Sequence, residues 1–66
     1  LHETLSEREM QVLLLIAGGK RLSAIAERLA LSPKTVSVYR ARIMEKLSLA
    51  SNAELAAYAL RHHLIE

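Results

Sequence analysis

"SPKTVSVYRARIMEKL", Ser32–Leu47, reads as one helix carrying two different surfaces. Ser32 suits the N-cap, and Pro33 suits the first helical position, where a missing amide proton costs nothing. At about 100° per residue, Val36, Ile43 and Leu47 fall within about 40° of one another. They form a stripe that needs a core. The opposite side presents Lys34, Ser37, Val38, Ala41 and Glu45, with Arg42 beside them. Tyr39 and Lys46 border that side on one flank and Arg40 on the other. This outward face is slim, polar and basic, with no broad apolar patch to bury.

The preceding residues supply a partner for the apolar stripe. Leu22, Ile25, Ala26 and Leu29 share one face of a short helix running from Leu22 or Ser23 to Leu29. Ala30-Leu31 is too brief for anything but a tight turn. Ile25, Ala26, Leu29, Leu31 and Val36 therefore have the spacing of a helix-turn-helix over about residues 22–48. Ala26 falls where the two helices approach most closely, so a small residue is needed there. If Ala30 takes φ > 0 in that turn, it costs on the order of 1 kcal/mol.

Two further helices flank this pair. "SERE" at Ser6–Glu9 is a capping box, followed by Val12, Leu13, Ile16 and Ala17 at helical spacing and a stop at Gly18 or Gly19. "SNAE" at Ser51–Glu54 is a second box, opening a helix over about 52–62. No segment alternates as a strand does. The reading is an all-α, four-helix bundle forming a single domain over residues 1–66.

With 66 residues and no Trp or Phe, the core must be small and aliphatic, worth roughly 3–5 kcal/mol from packing. The chain opens on Leu1 and is expected to be a fragment of a longer protein. The absence of cysteine excludes disulfides, thiolate metal sites and cysteine nucleophiles, and fits a reducing, cytoplasmic location. The longest apolar run, Val12–Ala17, is too short to cross a bilayer, so no membrane association is expected. Net charge is only +2, yet Lys20, Arg21, Arg28, Lys34, Arg40, Arg42 and Lys46 gather mid-chain between acidic flanks. That pattern fits ordinary solvated helix faces or an anion-facing centre.

No catalytic or metal-binding constellation stands out, and no cofactor is expected. His62 and His63 are adjacent, whereas helical metal pairs sit four residues apart. "HETL" at His2 lacks the second histidine of a zinc-protease motif. Ser6, Ser32 and Ser51 each have a cap to make. Glu9 can pair with a cation such as Arg40 or Lys46, or serve its cap alone.

The slim face of the third helix suits a DNA major groove, which admits one α-helix. Ser37, Val38 and Ala41 are the candidate base-facing residues, with Val38 able to meet a thymine methyl. Lys34, Arg42 and Lys46 are candidate phosphate contacts through charge, Thr35 and Tyr39 through hydroxyls. The fourth helix has a core face of Leu55, Ala56 and Ala59 and a second strip of Ala53, Ala57, Leu60 and Leu64. That strip fits a weak two-fold interface. Alternatively, Leu60 and Leu64 cap the core and the alanines are simply good helix formers.

The chain resembles the C-terminal DNA-binding domains of LuxR/FixJ/NarL-type bacterial regulators. The resemblance spans about Leu5 to Leu64 and rests on "LSEREMQVL", Ala17 with Gly19, "IAERL", "LSPKTVSVYRARIMEKL" and "AELAAYAL". Its form is nearest to response regulators of the GacA, UvrY and BvgA kind. The resemblance implies a two-component regulator that reads the major groove with the third helix, dimerises through the fourth and works with RNA polymerase. Ser37 and Ala41 stand where many members carry Lys or Arg, so more of the readout is expected from Val38, Ser37 and DNA shape. Leu22-Ser23-Ala24 replaces a common Asn-Lys-Glu, with Lys20 and Arg21 as substitutes for the lost lysine. A sigma-factor promoter module shares the "LSERE" and helix-turn-helix elements, and a helical protein-interaction module needs no DNA. Both stand as alternatives.

Overall fold

The computed structural model describes residues 2–65. A 3-10 turn at His2–Thr4 leads into α1 (Glu7–Ala17), α2 (Leu22–Leu29), α3 (Pro33–Leu47) and α4 (Asn52–Arg61). Among the described residues there is no strand, and the four helices fall where their caps and periodicity put them.

Three of the four starts have a local cause. Ser6 accepts from the Glu9 amide while the Glu9 carboxylate takes the Ser6 amide at 2.8 Å, completing the capping box of α1. Ser32 accepts from the Thr35 amide at 3.1 Å and Pro33 opens α3. Ser51 accepts from the Glu54 amide, but the reciprocal bond expected of "SNAE" does not form; α4 has half a box. Arg21, the N-cap of α2, makes no side-chain cap.

The ends share one device. Each helix closes with a bond from the second or third residue past its end to a carbonyl five residues back: Lys20 to Leu15, Leu31 to Ala26, Leu49 to Met44 and Leu64 to Ala59, at 2.8–3.0 Å. That geometry needs a left-handed residue, which is Gly19 (φ 88°), Ala30 (57°), Ser48 (56°) and His63 (58°) respectively. Three of the four are not glycine, a conformation that costs about 1 kcal/mol each. Leu31, Leu49 and Leu64 follow those three and pack against the core, which offsets the strain.

The core is aliphatic and α1 lies at its centre, packed on α2, α3 and α4. Val12, Leu13, Ile25, Val36, Ile43 and Leu55 are fully buried, with Ile16, Leu47 and Ala59 beside them. Ala26 is buried on α2, which packs on α3. Met44 and Tyr58 also belong to this core. They extend the Val36–Ile43–Leu47 and Leu55–Ala59 faces by one position each. The Tyr58 hydroxyl ties down the N-terminal turn, lying 3.1 Å from the His2 amide and 3.0 Å from its ring Nδ1.

Candidate nucleic-acid interface

The burial of Val36, Ile43, Met44 and Leu47 fixes which side of α3 faces outward. On that side Lys34, Ser37, Val38, Ala41, Arg42 and Glu45 are all exposed. Val38 is 45 % exposed, one of three exposed large apolar residues among those described. The small side chains of Ser37 and Ala41 leave the helix backbone open to close approach. Lys34 and Arg42 stand on this face with no carboxylate in ion-pairing range among the described residues.

The border residues behave differently. Thr35 is exposed, and its hydroxyl lies 2.8 Å from that of Ser32 at the cap. Tyr39 is half-buried and packs against the edge of the core. Lys46 turns toward α1: its ammonium is 2.8 Å from Glu9 Oε1 and 3.5 Å from the Thr4 carbonyl. Glu9, 3 % exposed, is the buried charged residue of the described chain. The same oxygen accepts from Lys46 and from the Ser6 amide. These donors hold the Glu9 carboxyl below the usual carboxylate range, Lys46 contributing most and burial opposing. Glu9 thus pairs with Lys46 while keeping its cap, and does not serve the cap alone.

Arg40, on the other flank, is half-buried and donates from Nε to Asn52 Oδ1 at 2.7 Å. Twelve residues separate them, and no local pattern in the sequence announces the pair. On α4, Leu55, Tyr58 and Ala59 face inward, while Ala53, Ala57 and Leu60 lie exposed, Leu60 at 57 %. Leu64 is divided from that strip. It is half-buried against the core beyond the helix end. The two readings of the strip thus separate: Leu64 caps the core and Leu60 does not.

Among the described residues no cluster of three or more potential metal ligands occurs. No helix among them is long and apolar enough to cross a membrane.

Residues 3–59 match the bacterial regulatory proteins of the luxR family. The chain is 50 % identical over 64 residues to the response regulator GacA of Pseudomonas viridiflava and to that of Pseudomonas aeruginosa, covering 97 % of this chain and 30 % of each relative. It is 48 % identical over 61 residues to the response regulator UvrY of Escherichia coli K12, covering 92 % of this chain and 28 % of that protein. The chain thus spans less than a third of the length of the curated relatives it matches. With a matched region that takes in the whole α2–α3 pair, the chain belongs to the luxR family of bacterial regulatory proteins.

Proposed function

We propose that the chain is the sequence-specific DNA-binding output domain of a bacterial response regulator. It acts by binding rather than catalysis and needs no cofactor. The observation that carries this reading is the two-sided α3, its back fully buried at Val36 and Ile43 and its front open at Ser37, Val38 and Ala41. Such a helix seats in a major groove without losing its anchorage. Lys34 and the helix dipole at its start, with Arg42 further along, favour phosphate beside the groove.

The open strip of Ala53, Ala57 and Leu60 on α4 is the surface through which a second copy pairs. Small residues let two helices approach closely, and the strip is short, so the isolated chain dimerises weakly. Two copies then read two half-sites. The relatives are named response regulators; as part of the same proposal, a phosphorylatable receiver domain lies elsewhere in the protein, RNA polymerase is the downstream partner and the location is cytoplasmic.

Titration against a mixed-sequence duplex at about 50 and 200 mM salt tests the reading, with affinity expected to fall steeply between them. Indifference to DNA at the lower salt would leave only a protein-interaction module. Selection from a random pool then yields the half-site and its spacing.

A further inference from the structure

The two cations bordering the open face of α3 differ in one respect that matters for an anion. The Lys46 ammonium is neutralised by the Glu9 carboxylate at 2.8 Å. Arg40 has no carboxylate within 4 Å among the described residues. Its partner is the side-chain amide of Asn52, which holds the guanidinium without cancelling its charge. Nε is occupied, leaving the two Nη groups and their four protons for another acceptor. Arg40 is half-buried as a residue and tied to Asn52, so less side-chain freedom remains to be lost on binding. Arg40 is three residues beyond Ser37, hence its neighbour on the helix surface, and adjoins the face proposed to enter the groove.

We infer that Arg40, positioned by Asn52, grips a DNA phosphate at the α4-side edge of that face. Asn52 is a positioning residue that touches the arginine and not the DNA. This assignment rests on the proposed DNA-binding function and adds the residue pair that orients the grip. Lys46, by contrast, serves chiefly to hold α3 against α1.

The test measures affinity against salt for the 66-residue chain and a duplex recovered from a random pool. Arg40→Gln should weaken binding roughly tenfold near 0.1 M salt and reduce the slope of log affinity against log salt by about 0.9, one phosphate contact. Asn52→Ala and Arg40→Lys retain the charge but lose the orientation. Each should cost a few-fold in affinity with the slope unchanged. The double variant Arg40→Gln with Asn52→Ala should bind no worse than Arg40→Gln alone. A wild-type slope in Arg40→Gln, or additive losses in the double variant, would overturn the inference while leaving DNA binding intact. Absence of DNA binding by the wild-type chain would remove the proposed function and this inference together.

Discussion

Lys46, in the last turn of α3, places its ammonium 2.8 Å from the carboxylate of Glu9 in the first turn of α1. The pair joins the helix proposed to meet DNA to the helix at the centre of the core. Glu9 is buried, so losing Lys46 leaves its carboxylate with Ser6 alone as donor among the described residues. Lys46→Met should therefore destabilise the fold by about 1–3 kcal/mol. The lower part of that range is favoured because the Lys46 side chain is 40 % exposed and water screens the pair. Denaturant unfolding measures it. A loss of DNA affinity in this variant, corrected for the folded fraction, should be small. A large loss without destabilisation would return Lys46 to the phosphate contacts.

The same pair sets an acid limit. The Glu9 carboxyl is held below its ordinary range, first by Lys46 and next by the Ser6 amide. Its stabilising contribution is thus fully present above the unfolded-state value and is lost as pH falls through the lower folded value. Melting temperature measured from about pH 6 to pH 3 should decline in the wild type. In Lys46→Met the folded value moves back up towards the unfolded one, so the part of the decline due to Glu9 should be smaller. Glu9→Gln should lack this component, and a decline equal to the wild type's would assign acid sensitivity to other carboxylates.

Three helices end on left-handed residues that are not glycine: Ala30, Ser48 and His63. Glycine relieves the steric cost while adding some freedom to the unfolded chain. Ala30→Gly, Ser48→Gly and His63→Gly should each stabilise by a few tenths to about 1 kcal/mol, raising Tm by up to roughly 4–8 °C. Calorimetry on the single variants decides it. Destabilisation by Ala30→Gly would mean that the turn is less strained than its φ of 57° implies.

On the open face, Val38 and Arg42 have separable roles. Val38→Ala removes a candidate contact to thymine methyls and should alter preference among sequences. Arg42→Gln removes a charge and should weaken binding to all sequences, lowering the salt slope by about 0.9. Binding measured across a site library distinguishes them, and equal effects of both variants on every site would defeat this division.

Most of the architecture was legible because its signals are local. Ser6, Ser32 with Pro33, and Ser51 mark three starts through bonds that reach only three residues, and Val36, Ile43 and Leu47 reveal the inner side of α3 by angle alone. Ala30 was suspect because it occupies the short turn of the helix-turn-helix, a place where glycine is often used. Ser48 gave no such sign, since serine does not favour φ > 0, and His63 only a weak one; the leucine after each hints at the motif. Leu64 lies past the end of α4, where the wheel that joined it to Leu60 no longer applies. Arg40 with Asn52 was out of reach, because long-range side-chain pairs leave no period in the sequence. Lys46 and Glu9 were a recognised option whose outcome depended on the angle between α1 and α3.

Amide-resolved NMR of the 66-residue chain, titrated with the duplex recovered from the random pool, tests the central claim most directly. The account predicts the largest shifts on the open side of α3, at Lys34, Ser37, Val38, Ala41 and Arg42, with the α1–α2 surface around Leu14 and Arg28 nearly silent. Strong shifts at Leu14 and Arg28 with those five residues unmoved would contradict it.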